Sequence, residues 1–389
     1  MALVDHRATP DMVHNAGKIG IQALVPLENQ DDLSTYYTPG VADQAQRFAR
    51  DPRAARAETS KANSVAVVSD GSALLGLGDQ GPTAAMAVME GKAALLKRFA
   101  DVDAWPICPQ SRDVDDLVRT VTDLAVSFGA INLEDVAAPR CFELESRLRE
   151  SLDVPVFHDD QHGTAVVVLA ALRNALSVTD RELEGTSIVI SGAGAAGSAI
   201  ARLLLQAGAR AEDVVVCDSS GALHTGRDLD GEKRWLAEHT GGGATGTLTE
   251  VLGGRDVFIG VSVGGLLSED DVAGMAEKAI VFGLANPDPE MDPDAARRHA
   301  AVVATGRSDQ PNQINNVLVF PGVFRGLLDA GATTVTDDIQ IAAAEAIAGQ
   351  VGDRLDADHI VPDVFDPDLV PAVARAVARA GGDNPEDSR

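Results

Sequence analysis

The chain has 389 residues, 45% of them hydrophobic but only 4% aromatic, so it is long enough for two or three domains whose cores must be built from Ala, Val, Leu and Ile. Acidic residues outnumber basic ones 59 to 32, and the formal net charge of −27 argues against nucleic acid and anionic membrane as partners. An anionic ligand would need a local cation to offset the same charge.

The first eleven residues, MALVDHRATPD, lack the basic and apolar regions of a secretory leader. No apolar run reaches the length of a membrane span. Cys108, Cys141 and Cys217 are far apart and odd in number, and they read as buried thiols. A soluble, cytoplasmic protein is expected. Residues 1 to about 60 read as irregular, with a turn at Pro39-Gly40 just after Tyr36 and Tyr37. Val65 to Val68 reads as a strand and Gly76 to Pro82 as a glycine-rich loop. A long helix follows Pro82, a strand covers Trp105 to Cys108, and Asp113 to Phe128 has helical period. Ile131 to Leu133 is a brief strand with Glu134 and Asp135 at its end. Arg140 to Glu150 is helical, Val154 to Phe157 is a strand, and HDDQHGT, His158 to Thr164, leads into another helix.

From residue 186 onward strands alternate with helices, with strands expected at 187–191, 213–217, 256–260, 279–283 and 302–304. That alternation predicts an α/β fold with a parallel, doubly wound sheet. Helices are expected near 337–350 and 370–380, and GGDNPEDSR reads as a frayed tail.

Within this half, SIVISGAGAAG, Ser187 to Gly197, is a buried strand running into a glycine turn and a helix. Gly192 permits the tight turn, Gly194 lets the backbone approach a pyrophosphate, and Gly197 lets helix and strand pack closely. With Ala195 and Ala196 they present a helix N-terminus to phosphate. The next strand ends at Asp218, where a carboxylate accepts the hydroxyls of an adenosine ribose.

Glu134, Asp135 and Asp160 are the candidate metal ligands, because their strands, if adjacent, would bring both acid pairs to one sheet edge. Hard carboxylate oxygens suit Mg²⁺ or Mn²⁺. Turn and cap acids are the alternative. His158 and His162 beside them could suggest zinc or serve as capping groups, and His162 at a helix N-terminus should resist protonation. Lys92, among Ala and Leu on a helix, is either a base with a lowered pKa or a surface lysine. Tyr36 or Tyr37 is the candidate acid. Asn286 and Asn315, on expected sheet-edge loops, suit carboxylate oxygens or simply form turns.

LSTYYTPGVA, SDGSALLGLGDQGP, VMEGKAALLKRFA, INLEDVAAPRCFE, VPVFHDDQHGTA, SGAGAAG, LANPDPE and GRSDQPNQINNVLVFPGV, in this order over roughly residues 10 to 350, resemble the successive motifs of compact bacterial and archaeal malic enzymes. The resemblance implies an N-terminal α/β malic-type domain over residues 1–160. It also implies a C-terminal doubly wound Rossmann-type dinucleotide-binding domain with a closing helix over 161–389. The implied reaction is NAD(P)-dependent oxidative decarboxylation of malate to pyruvate and CO₂ with Mg²⁺ or Mn²⁺. It selects Tyr37 as acid and Lys92 as base, and sets Asp159 beside the lysine. It makes Glu134, Asp135 and Asp160 the metal acids, and gives Asn286 and Asn315 to the substrate, with Asn286 also at the coenzyme. A homodimer is expected, acting on malate, oxaloacetate and pyruvate.

Larger malic enzymes bind the substrate carboxylate with an arginine in the segment where this chain has Ser72, Ala73 and Leu74. NADP-preferring members often place a lysine in the turn after the ribose acid. Ser220 stands there, so NAD is favoured, with Arg227 the nearby cation able to compensate a 2′-phosphate. A malolactic enzyme, a plain oxaloacetate decarboxylase and a non-catalytic nucleotide sensor are the alternative readings.

Overall fold

In the computed structural model, which describes residues 17–382, the chain forms two sheets. The N-terminal stretch read for a leader lies outside the described residues, as does the tail from residue 383. Sheet one is β1 (Ser64–Val68), β2 (Asp103–Ile107), β3 (Ala130–Leu133) and β4 (Val156–His158), in the order β2-β1-β3-β4 and all parallel. Sheet two contains β5 (Ile188–Ser191), β6 (Val214–Asp218), β7 (Gly221–Ala222), β8 (Val257–Gly260), β9 (Ile280–Gly283) and β10 (Val302–Thr305). Its order is β10-β9-β8-β5-β6-β7, parallel except for the short β7.

Parallel sheets are covered on both faces, which is why their strands read as unbroken apolar runs. In β5, Ile188 and Ile190 enter one core and Val189 the opposite one; Val65 and Val67 of β1 face away from Ala66 and Val68 in the same way. The Thr164–Val178 helix is buried nearly all round and packs against the Ala195–Gln206 and Asp337–Gly349 helices. Residues of both sheets share its core.

Each sheet has a point where the strand order reverses, between β1 and β3 in sheet one and between β5 and β8 in sheet two. Ligands of doubly wound sheets bind outside the strand carboxyl ends at such points. The candidate acids and the glycine turn lie at these ends. Strand limits follow the expected ones within about two residues.

The segment read as irregular departs from expectation. It contains helices Gln30–Tyr36, Val41–Arg50 and Pro52–Glu58, nucleated by side-chain caps from Asn29 and Asp51 at the first and third. None of the three buries a residue, although Val41–Arg50 carries Val41, Ala45, Phe48 and Ala49 on one face. No described helix is long and apolar enough to cross a membrane.

Candidate active site

β3 and β4 are neighbours with Leu133 paired to His158, so Glu134-Asp135 and Asp159-Asp160 leave the same edge, as the sequence required. Asp135 adopts φ 53° and its N–H donates to Asp160 Oδ2 at 2.7 Å, tying the two acid pairs together. Asp159 to Gly163 form a single π-helical turn, a local distortion common at functional sites. Gly163 has no room for a Cβ because the Asp159 carboxylate lies against it.

Lys92 comes from the Pro82–Ala100 helix, on the face that also carries Ala85, Met89 and Leu96 into the core. Its side chain is 7% exposed, which removes the surface-lysine reading. Nζ lies 2.7 Å from Glu134 Oε2 and 2.5 Å from Asp159 Oδ2, with the Phe320 ring centroid 4.1 Å away. The expected lowering of its pKa is overturned. Burial alone would lower it, but the Asp159 and Glu134 carboxylates outweigh burial and raise it. Those partners are 67 and 42 residues distant in sequence, so the apolar neighbours on the helix gave the wrong sign.

Glu134 is held well above the usual carboxylate range by burial. Lys92 opposes the shift, while Asp159, Asp160 and Asp135 add to it. Two carboxylates thus hold the one ammonium, and two more, Asp135 and Asp160, act on Glu134. Asp159 Oδ1 is buried and accepts no hydrogen bond among the described residues. The donor chemistry and uncompensated charge fit a hard divalent cation. The expected ready-made triad is not formed, however. Glu134 is turned to Lys92 and Asp160 to the Asp135 amide, and no described group of three His, Cys, Asp or Glu side chains is gathered to hold an ion.

His158 is fully buried with Nδ1 3.8 Å from Asp160 Oδ2. His162 Nε2 meets Glu145 Oε1 at 2.6 Å, and Gln161 donates to Glu145 Oε2 at 2.8 Å. Both bonds anchor the acid-bearing turn on the Arg140–Ser151 helix. Glu145 went unnoticed in the sequence, although it shares a helical stripe with the buried Cys141, Leu144 and Leu148, an unusual place for an acid. Asn316 was missed as well. Its Nδ2 donates to Asp159 Oδ2 at 2.9 Å, while neighbouring Asn315 caps its own backbone at Val317. Asn286 sits after β9, and a Cβ on Gly76 would stand 2.9 Å from its carbonyl oxygen, so loops of the two sheets meet there.

Tyr37 is not brought to this cluster. It follows the Gln30–Tyr36 helix, 64% exposed, and among the described residues no hydrogen bond links it to Lys92 or the acids. The Ser72 to Leu74 segment is locked onto its own surroundings. Ser72 Oγ donates to Asp70 Oδ1 at 2.6 Å and accepts from Ala137 N at 2.9 Å, and buried Asp70 pairs with Arg140.

At the second reversal point, Gly192 has φ 119° and a Cβ on it would stand 2.7 Å from the Val261 carbonyl oxygen. Gly194 faces open space and caps the Ala195–Gln206 helix with no side-chain cap bond, leaving that N-terminus available to a phosphate. A cleft of about 810 Å³ runs from this turn past Asp218 and also touches Ala138 and Pro139 after β3. Glu290, buried and missed in the sequence, accepts from Ser262 N at 2.9 Å and Ala285 N at 3.1 Å, joining the Ser262 loop of that cleft to the loop after β9.

Residues 16–111 match the family description "Malic enzyme, N-terminal domain", and residues 161–381 match "Malic enzyme, NAD binding domain". The chain belongs to the malic enzyme family. It is 51% identical to the NAD-dependent malic enzyme of Geobacillus stearothermophilus, over 95% of this chain and 77% of that one. It is 50% identical to the bifunctional malic/malolactic enzyme of Bacillus subtilis, over 94% and 90%. The NADP-dependent malic enzyme of Rhizobium meliloti is 46% identical, over 94% of this chain and 50% of its own length. Among solved structures, malic enzyme from Pyrococcus horikoshii superposes with a TM-score of 0.91 at 46% identity, covering 93% of this chain and 86% of that one. The NAD-dependent malic enzyme from Thermotoga maritima gives 0.91 at 44%, covering 95% and 99%. Membership makes the chain an NAD(P)-dependent malic enzyme, with a malic-type unit followed by a Rossmann-type one.

Proposed function

We propose that the chain converts L-malate to pyruvate and CO₂ with Mg²⁺ or Mn²⁺ and either NAD or NADP. The observation that carries this reading is the buried Lys92 between Glu134 and Asp159, on an acid-lined sheet edge. Glu134, Asp135 and Asp160 would hold the ion, which supplies charge compensation for a dianionic substrate and polarises its C2 oxygen. Lys92, whose own proton would first pass to the Asp159 carboxylate beside it, would then take the C2 hydroxyl proton as the coenzyme oxidises C2. Asp159 Oδ2, fixed by Asn316, is placed to relay the lysine's proton. The carboxamides of Asn286 and Asn315 bind carboxylate oxygens and orient C4 for loss as CO₂. Tyr37 then protonates C3.

Tyr37 lies on a segment that exposes Ile21, Leu24, Leu27 and Leu33, apolar surface that supports a homodimer. We place the boundary between the units at residue 160, because the β1–β4 sheet ends before it and the β5–β10 sheet begins after it. Three free cysteines accord with a reducing cytoplasm.

The test is purified protein with malate, Mn²⁺ and each coenzyme in turn, followed by the absorbance of reduced coenzyme and by pyruvate. Lactate without reduced coenzyme would assign malolactic chemistry instead, an activity in the name of the Bacillus relative. Pyruvate from oxaloacetate alone would leave a plain decarboxylase.

A further inference from the structure

Glu290 lies in the loop after β9 and is 0% exposed. A fully buried acid is ordinarily paired with a cation. Glu290 takes backbone N–H groups instead. Oε1 accepts from Ser262 N at 2.9 Å and Oε2 from Ala285 N at 3.1 Å. Burial raises its carboxyl above the usual range, and these amides oppose the shift. The space for the side chain exists because β8 ends in glycine: a Cβ on Gly260 would collide with the Glu290 carboxyl group. Two backbone bonds pin the same loop to the one after β8, Gly265 N to the Pro289 carbonyl at 3.0 Å and Leu267 N to the Glu290 carbonyl at 2.9 Å.

The two amides that Glu290 holds belong to different parts of the site. Ser262 lines the coenzyme cleft. Its hydroxyl meets that of Ser191, the residue before Gly192, at 3.1 Å, and Val261 N donates to the Ser191 carbonyl at 2.9 Å. Ala285 immediately precedes Asn286. The Asn286 carboxamide lies beside Gly306, where an added Cβ would stand 3.5 Å from both of its terminal atoms. A series of hydrogen bonds therefore runs from the glycine turn through Ser262 and Glu290 to the backbone that carries Asn286. Both carboxylate oxygens are fixed to one carbon, so a displacement of either loop strains the bond to the other.

Resting on the readings of that cleft as the coenzyme site and of Asn286 as a substrate residue, we infer that Glu290 is a positioning residue that couples the two ligands. Coenzyme that orders the Ser262 loop sets Asn286, and substrate held by Asn286 sets the Ser262 loop, so each binds more tightly in the presence of the other. The coupling is reciprocal by linkage. The cost of ordering the joined loops is met by whichever ligand arrives first, and the second is spared it. The acid is required because both amides need an acceptor. Glutamine has the same shape but offers one acceptor oxygen and sets its NH₂ group against the other amide. One link then opens while the packing against Gly260 is kept.

The experiment uses the whole chain with Mn²⁺. The Kd of reduced coenzyme (NADH, or NADPH where that binds more tightly) is read by fluorescence without and with tartronate, a hydroxy-dicarboxylate one carbon shorter than malate. Tartronate should tighten the coenzyme by about tenfold in the parent, and a factor below about threefold overturns the inference. In Glu290→Gln that factor should be at least about threefold smaller than in the parent, and a smaller change overturns the inference, whatever the variant does to Tm. Should Glu290→Gln not unfold cooperatively, hydrogen exchange on the parent replaces it. Tartronate alone should slow exchange over residues 261–266 as well as 284–290, and slowing confined to 284–290 overturns the coupling. If reduced coenzyme fails to bind with or without tartronate, or Asn286→Ala binds tartronate as the parent does, the underlying reading of the site has failed, an outcome distinct from lost coupling between two ligands that bind.

Discussion

Lys92→Met removes the ammonium but keeps most of the aliphatic volume, so it isolates charge from packing. In the parent, Nζ is 2.7 Å from Glu134 and 2.5 Å from Asp159, whose side chain is 1% exposed. Deleting one partner of a buried ion pair costs about 3–5 kcal/mol, because the remaining charge is left uncompensated. Protonation limits the loss, since Glu134 already lies above the ordinary range through burial and its neighbouring acids. We therefore expect about 3 kcal/mol in metal-free buffer near neutrality. For a cooperative unit of this size that is roughly a 6–12 °C fall in Tm.

The pH dependence has a definite sign. A carboxyl whose folded pKa is raised contributes stability below its unfolded pKa and loses it as pH rises through the folded value. In the parent Lys92 offsets that loss, and in the variant nothing does, so the Tm deficit should grow from pH 5 to pH 8. Added Mn²⁺ should raise the Tm of the variant more than that of the parent, because a bound cation replaces the missing charge. The assay is thermal unfolding with chelator and with Mn²⁺. A variant within about 2 °C of the parent at pH 8 under chelation would refute the buried-pair argument.

Asp160→Asn should keep the fold, since an amide oxygen can still accept from Asp135 N. It should lose Mn²⁺-dependent turnover by about a hundredfold or more; near-normal rates at low Mn²⁺ would remove Asp160 from the ligand set. Tyr37→Phe should leave Tm unchanged, because the side chain is exposed. It should slow pyruvate tautomerisation while oxaloacetate reduction survives, and equal loss of both partial reactions would dismiss it as the acid. Glu145→Ala frees Gln161 and His162 on the acid-bearing turn. It should weaken Mn²⁺ binding, read by titration, by about tenfold, with Glu145→Gln recovering part of it. Unchanged affinity would confine Glu145 to the scaffold.

What was legible in the sequence was local or periodic. The strand, glycine turn and helix at Ser187 to Gln206 are specified by neighbouring residues, and both-face burial makes parallel strands visible as apolar runs. The convergence of Glu134-Asp135 with Asp159-Asp160 needed one added condition, adjacency of β3 and β4, which the structure meets. What was not legible depended on partners distant along the chain. Nothing on the Pro82–Ala100 helix discloses that Lys92 will meet two carboxylates. Lys233 reaches Asp218 from a separate helix, 15 residues along the chain, and nothing in the turn after β6 discloses it. The helices Gln30–Tyr36 and Pro52–Glu58 escaped for another reason: each is seven residues long and buries nothing, whereas Val41–Arg50 carries an apolar stripe, Val41, Ala45, Phe48 and Ala49, that the sequence does show.

The distribution of charge connects these failures to the chemistry. A chain with net charge −27 has to bind a dicarboxylate and a dinucleotide, both anionic. At the substrate end, its one buried cation is held by two of four acids, so the protein alone leaves a deficit of positive charge there. That deficit favours a divalent ion and, with the ion in place, a substrate able to share it. At the end of β6 the arrangement is reversed, with Arg227 and Lys233 both paired to Asp218. Between them, the uncapped N-terminus at Gly194 offers backbone N–H groups to a pyrophosphate without any further basic side chain. An acidic protein can therefore hold an anionic substrate and an anionic coenzyme by placing positive potential at these points, while the rest of its surface remains negative.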